Sequence, residues 1–126
     1  MIHVAKSAGF CFGVSRSVEL AEKLLKDGPC KSLGPLIHND DVVGKLAEMG
    51  LSVVESPEQV GPGDRVLIRS HGVSKAVEDA LRAAGAEVND ATCPNVSRIH
   101  RIVSEASARG RQVLVIGTRD HPEVRA

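Results

Sequence analysis

Apolar positions along this chain follow two alternating rhythms. Short apolar runs such as Arg65-Val66-Leu67-Ile68-Arg69 and Gln112-Val113-Leu114-Val115-Ile116 read as buried strands. Between such runs, apolar residues return every three or four positions, the spacing of an amphipathic helix. The strand rhythm predicts strands over residues 2–5, 31–33, 51–55, 65–69, 86–89 and 112–116. The helical rhythm predicts a helix over 14–26 with Val14, Val18, Ala21 and Leu25 inward, and another over 39–49 with Val42, Val43, Leu46 and Met49 inward. Ser74 is a plausible N-cap for a third helix with Val77, Ala80, Leu81 and Ala84 as its stripe. A fourth runs over 94–109, with Val96, Ile99, Val103 and Ala106 inward. Gly28, Gly50, Gly85 and Gly110 stand where the four helices stop.

Strand and helix alternate throughout, which implies an α/β fold: a parallel sheet with helices on its faces. The last predicted strand has only a short polar tail after it, although a parallel strand normally feeds a crossover that covers it. The chain is therefore expected to be the front part of something larger, or a truncated product. Three cysteines in such a sequence read as ligands, nucleophiles or core residues rather than as a disulfide framework.

Composition narrows the function classes. Apolar residues make up 42% and charged residues 25%, a globular profile. The 16 basic residues balance the 16 acidic ones, so no nucleic-acid or anionic-membrane surface is expected. With two Phe and no Trp or Tyr, no stacking platform for bases is present. No apolar run is long enough to span a bilayer, and the N-terminus lacks the apolar core of a signal peptide, so a cytoplasmic location is expected.

Ligands of open α/β sheets gather outside the carboxyl ends of the strands. The polar residues just after each predicted strand are therefore the candidates for chemistry: Cys11, then His38-Asn39, then Ser70-His71-Gly72, then Thr92-Cys93-Pro94, then His121-Pro122-Glu123. Cys11 lies between glycines just before a helix, and Cys93 precedes Pro94, a favourable first helical residue. The dipole and free N–H groups of a helix start favour the thiolate, the form that binds iron or zinc. Each cysteine alone could equally be a small buried hydrophobe; the paired placement favours a shared metal or iron–sulfur group. Cys30 lies away from that edge and reads as a core thiol. His38, His71 and His121 suit a diphosphate, which accepts hydrogen bonds from imidazolium and backbone N–H groups. They lack the spacing of a helical zinc motif. Glu123 at the rim could be a general acid. His3 and His100 read as structural, and neither a P-loop nor a dinucleotide-binding glycine motif is present.

Five runs in order, Gly9-Phe10-Cys11-Phe12-Gly13-Val14, Leu36-Ile37-His38-Asn39, Ser70-His71-Gly72-Val73-Ser74, Asp90-Ala91-Thr92-Cys93-Pro94 and His121-Pro122-Glu123-Val124, resemble the 4-hydroxy-3-methylbut-2-enyl diphosphate reductases. The resemblance covers essentially this whole chain but half or less of the family's length. It implies an iron–sulfur reductase of the non-mevalonate isoprenoid pathway. Such an enzyme converts its allylic diphosphate to isopentenyl and dimethylallyl diphosphate by two-electron reductive dehydroxylation, with ferredoxin or flavodoxin as electron donor. It further implies a fold of three α/β lobes around a [4Fe-4S] cluster, each lobe giving one cysteine. Residues 1–93 would form the first lobe, its N-terminal strand packing with a lobe outside this chain, and residues 94–126 would begin the second. Cys11 and Cys93 match two cluster ligands, and the third has no counterpart here. His38, His71 and His121 match the substrate's histidines, Glu123 matches the proton-delivering acid, and Arg98 stands where the family often has Lys. Because two thiolates cannot reproduce three-point ligation, the isolated chain is expected to be inactive. Two further readings stand beside this one: a non-catalytic module that binds phosphate or a metal, alone or as a homo-oligomer, and zinc or thiol chemistry at Cys11 and Cys93.

Overall fold

A computed structural model describes all residues from Met1 to Ala126. Helix α1 (Phe12–Lys26) precedes strand β1 (Cys30–Leu33), helix α2 (Asp40–Glu48) and strand β2 (Leu51–Val54). A 3-10 turn (Pro57–Gln59) leads into β3 (Arg65–Ile68), α3 (Lys75–Ala83) and β4 (Glu87–Asp90). Helix α4 (Pro94–Ala108) and a short α5 (Pro122–Arg125) complete the chain.

The four strands form one parallel sheet in the order β2-β1-β3-β4. From β1 the chain moves outward to β2, then crosses back over β1 to β3 and continues outward to β4. The connections leaving β1 and β3 therefore run in opposite directions, which makes the gap between their carboxyl ends a topological switch point. Register places Leu33 beside Ile68, so the loops that begin at Gly34 and Arg69 emerge side by side.

Each face of the sheet carries its own core. On one, Ala21, Leu24 and Leu25 of α1 and Leu46 of α2 pack with Leu36, Ile37, Leu51 and Leu67. On the other, Leu81 of α3 packs with Leu33, Val54, Val60, Val66 and Ile68. The helical stripes expected from periodicity supply these contacts through Val14, Val18, Ala21 and Leu25 of α1, Val42, Val43 and Leu46 of α2, and Val77 and Leu81 of α3. Met49, expected inward, is 45% exposed because it lies past the last turn of α2, and Ala80 of α3 is exposed as well. Asn39 and Ser74 cap α2 and α3, accepting from the N–H groups of Val42 and Val77. Cys30 is buried in the first core, and burial pushes its thiol pKa up, with Arg65 opposing.

Two predicted strands do not form. Residues 2–5 and 112–116 form no helix or strand and pair with no other segment, with Ile2 93%, Val4 79%, Leu114 84% and Ile116 89% exposed. Apolar, β-branched composition favours extended backbone, but a strand exists only when a second segment offers its free N–H and C=O groups. Neither run finds one within this chain. Ile99 of α4, expected inward, is 58% exposed, because α4 buries only Val96. No helix is long and apolar enough to cross a membrane.

Candidate functional site at the carboxyl edge of the sheet

Hydrogen bonds continue past the strand ends and stitch three loops together. Ser70 N–H and Oγ–H both donate to Leu36 O, at 3.4 and 3.2 Å, and Cys93 N–H donates to Ser70 O at 2.9 Å. Ala91 N–H donates to Ile68 O at 3.0 Å. This ladder fixes the loop bearing His38 against the loop bearing His71, and that loop against Cys93.

At the switch point the imidazoles of His38 and His71 stand 4.6 Å apart between ring centroids. His121 meets His71 edge-on at 6.2 Å. His121 does not follow a strand, as its placement after residues 112–116 had implied. It caps α5 instead, its Nδ1 accepting from Glu123 N–H at 3.2 Å. That bond leaves Nε2 as the atom carrying the proton in the neutral ring. Glu123 lies close enough to His71 to act on its titration.

His71 is buried while His38 and His121 are exposed. Burial, above all, lowers the His71 pKa; the positive charges of His38, Arg69 and His121 add to that, and Glu123 opposes them. Its Nδ1 is buried and finds no partner in the chain. A buried unpaired nitrogen is costly, and here it belongs to a histidine cluster at the position where α/β sheets bind ligands. His100, expected to be structural, shows the same feature at Nε2. It packs behind Gly72, where a Cβ would come within 2.9 Å of its ring and 3.2 Å of Thr92 Cγ2. Gly72 also holds φ at +78°, so close packing and backbone both require glycine there.

The helix starts that bear the thiols come together differently. Cys11 is the N-cap residue of α1 and Cys93 that of α4, and neither side chain makes a capping bond. Only Cys93 follows a strand; the segment before Cys11 is unpaired. The start of α1 presses against Cys93: a Cβ on Gly13 would lie 2.5 Å from Cys93 Sγ and 3.0 Å from its Cβ. Glycine is thus the spacer that lets two thiol-bearing helix ends meet. Both thiols are free, Cys11 exposed and Cys93 partly buried.

Two residues that the sequence did not single out, Ser17 and Arg16, hold this junction together with Asp90 and Thr92. Ser17 Oγ, buried in α1, lies 2.9 Å from both Gly13 O and Ala91 O and shares its one proton between them. Arg16 donates from Nη1 to Thr92 O at 3.2 Å. Asp90 Oδ1 accepts from Thr92 N–H at 2.8 Å and from its hydroxyl, shaping the turn before Cys93. The readable signal was Ser17 itself, a polar residue on the apolar stripe of α1.

Two thiols at adjoining helix N-termini are suitable donors for a soft metal or an iron–sulfur group. They supply two points of such a ligand set. No three His, Cys, Asp or Glu side chains are arranged to hold a metal ion by themselves.

A doubly wound α/β unit with a histidine cluster at its switch point and paired thiols beside it is the class of protein that this geometry defines. The chain belongs to the LytB protein family, whose pattern it matches over residues 2–126. It is 45% identical over 125 residues to the 4-hydroxy-3-methylbut-2-enyl diphosphate reductase of Aquifex aeolicus (strain VF5), with 98% of this chain and 43% of that protein covered. The corresponding reductase of Thermoanaerobacter sp. (strain X514) is 43% identical over 128 residues, with coverage of 98% and 44%. Among solved structures, one (E)-4-hydroxy-3-methyl-but-2-enyl diphosphate reductase, described as the terminal enzyme of the non-mevalonate pathway, superposes with TM-score 0.84 at 45% identity, covering 98% of this chain and 44% of its own. The Plasmodium falciparum E-1-hydroxy-2-methyl-but-2-enyl-4-diphosphate reductase gives TM-score 0.89 at 31% identity, with coverage of 94% and 38%. The chain spans 44% or less of the length of these relatives.

Proposed function

We propose that this chain carries the diphosphate-binding part and two cluster ligands of a cytoplasmic reductase acting on 4-hydroxy-3-methylbut-2-enyl diphosphate. The observation that carries the reading is the convergence of His38, His71 and His121 on one edge of the sheet, with His71 Nδ1 unpaired, in a chain of this family. The histidines receive the diphosphate: each offers an N–H donor, and a bound anion favours the imidazolium form of His71 that burial otherwise disfavours. Burial of His71 also excludes water from one side of the anion, which strengthens those bonds. Glu123, beside this cluster, holds a proton for the departing hydroxyl. Cys11 and Cys93 would hold a [4Fe-4S] group from two helix ends. When bound, that group supplies the electrons for reductive loss of the hydroxyl, received from a ferredoxin or flavodoxin. Residues 94–126 would begin a second lobe.

The experiment is anaerobic reconstitution with iron and sulfide, read as bound iron and visible absorbance, alongside calorimetric titration with inorganic diphosphate. The reading expects iron that is lost in both Cys11→Ser and Cys93→Ser, and diphosphate binding lost in His71→Ala. An iron-free wild-type chain that also ignores diphosphate would sink it. A second reading, an anion-binding module without redox chemistry, is favoured by one observation: three histidines converge within these residues, whereas no three His, Cys, Asp or Glu side chains are arranged to hold a metal ion. Diphosphate binding without iron, unchanged in Cys11→Ser, selects that reading. Zinc that is retained through the two cysteines in place of iron would select thiol–zinc chemistry.

A further inference from the structure

His100 reads from the sequence as structural, yet its Nε2 is buried and meets no group in the chain. The ring packs against Gly72, behind the loop that carries His71. It also borders a cavity of about 370 Å³ between α3, α4 and α5, and Glu123 lines that cavity too. Four titratable side chains face it: Lys75 and Glu78 of α3, His100 of α4 and Glu123 of α5. Lys75 is paired with Asp79, and Glu78 with Arg82, each one turn along α3. His100 and Glu123 are left over. The Glu123 carboxyl group makes no hydrogen bond or ion pair, and only its backbone N–H is engaged, by His121. Much of the remaining wall is apolar, with Val73, Ile99, Val103 and Val124 in it. The one imidazole and the one carboxyl group without a partner therefore share a largely apolar chamber.

A buried nitrogen without a partner is costly, and a water between it and a carboxyl group satisfies both. One water needs about 10–15 Å³ of such a space, so this cavity has ample room for it. We infer that His100 is a positioning residue for Glu123, holding its carboxyl group through water and restoring its proton after each turnover. The role, though not the pairing, rests on the reductase reading given above. In that reading two electrons and two protons release the hydroxyl as water, and Glu123 gives one of those protons to the departing oxygen. The carboxylate left behind takes a proton from the bridging water, and the water takes one from the His100 imidazolium. The neutral ring then regains a proton from solvent, so the relay ends as it began and breaks no bond between heavy atoms. A general acid that must act repeatedly needs such a resupply. A ring that only filled the space behind Gly72 would have no effect on the carboxyl group at all.

The test labels the histidine rings and the glutamate carboxyl groups isotopically and follows both by NMR as pH is varied, in the wild-type chain and in two variants. Glu123→Gln changes one exposed side chain. In it the His100 ring should give up its proton about half a pH unit or more lower than in the wild type, because a carboxylate that favours the imidazolium is gone. His3, exposed on an unpaired segment, should not move. His100→Gln keeps a polar side chain behind Gly72 but removes the charge. In it the Glu123 carboxyl group should give up its proton at higher pH, since coupling between two sites is reciprocal. Lys75, Glu78, His71 and His121, the other titratable groups facing the pair, are present in both variants and cannot produce these changes. An unmoved His100 in Glu123→Gln would overturn the inference, and that measurement stands even if His100→Gln fails to fold. An unmoved Glu123 in folded His100→Gln would overturn it too and leave the ring as a filler. Diphosphate binding and iron loading separate this from the parent reading. Absent coupling with both intact defeats only the role of His100, whereas coupling in a chain that shows neither defeats the reductase and the proton step with it.

Discussion

The histidine cluster and the thiol pair occupy the same edge of one sheet but are built on different principles. His38 and His71 are set by strand register: β1 and β3 pair side by side, and the Ser70–Leu36 bonds lock their loops, so the rings meet at 4.6 Å. Cys11 and Cys93 are set by two helix starts that touch through the missing side chain of Gly13. The first arrangement is backed by two cores and a hydrogen-bond ladder. The second depends on one small residue and a few polar bonds to the turn before Cys93. The difference teaches that anion binding and metal loading can fail separately here, and substitutions can show it.

The largest effect is expected at Gly13. Gly13→Leu drives a side chain into Cys93 and separates the helix ends, so iron loading should fall to background while diphosphate affinity stays within about twofold. The strain should also cost about 1–3 kcal/mol in urea denaturation. Retained iron would mean that the thiols do not need this junction.

His71→Ala should do the reverse. Losing a charge-assisted donor of about 1.5–3 kcal/mol weakens diphosphate binding roughly tenfold to a hundredfold in calorimetry, with iron loading unchanged. A variant that loses both properties would show the two regions to be one unit.

Ser17→Ala leaves Ala91 O without its side-chain donor at a fully buried position. A loss of about 1–3 kcal/mol is expected in denaturant, with iron loading impaired more than diphosphate binding because the bond supports the α1 junction. Equal impairment of both would place the bond in the general core.

The smallest effect is a pH dependence. The folded His71 pKa lies below its unfolded value, so below about pH 6.5 the unfolded chain takes up this proton more readily than the folded one. Its contribution therefore leaves stability unchanged above that pH and lowers it as pH falls through 6.5, until the folded ring also protonates. His71→Gln should flatten that part of the curve in thermal denaturation between about pH 8 and pH 5. Diphosphate should counter it, because binding the anion favours proton uptake; an identical curve in the variant would remove His71 as the source.

Most of the fold could be read from local rules. Periodicity located four helices and four paired strands, because each helix that packs on the sheet must present an apolar stripe and each inner strand an apolar run. Parallel topology then predicted that the residues after the strands would share an edge, and His38, His71 and Cys93 do. The same rules predicted strands at 2–5 and 112–116 that are absent, since propensity belongs to one segment and pairing to two. Ser17 and Arg16 went unread for a related reason: their partners, Ala91 and Thr92, lie far away in sequence.

By itself, then, the sequence determined the order of elements, their inward faces and the identity of the chemical groups, all of which depend on neighbours a few residues apart. The tertiary structure alone decided that His71 is the buried ring of three, that its Nδ1 is unpaired, that Gly13 is the spacer between two thiol-bearing helices, and that His100 and Glu123 share a cavity. Those properties arise from contacts between segments distant along the chain, where burial and approach are set by how the sheet and its helices pack.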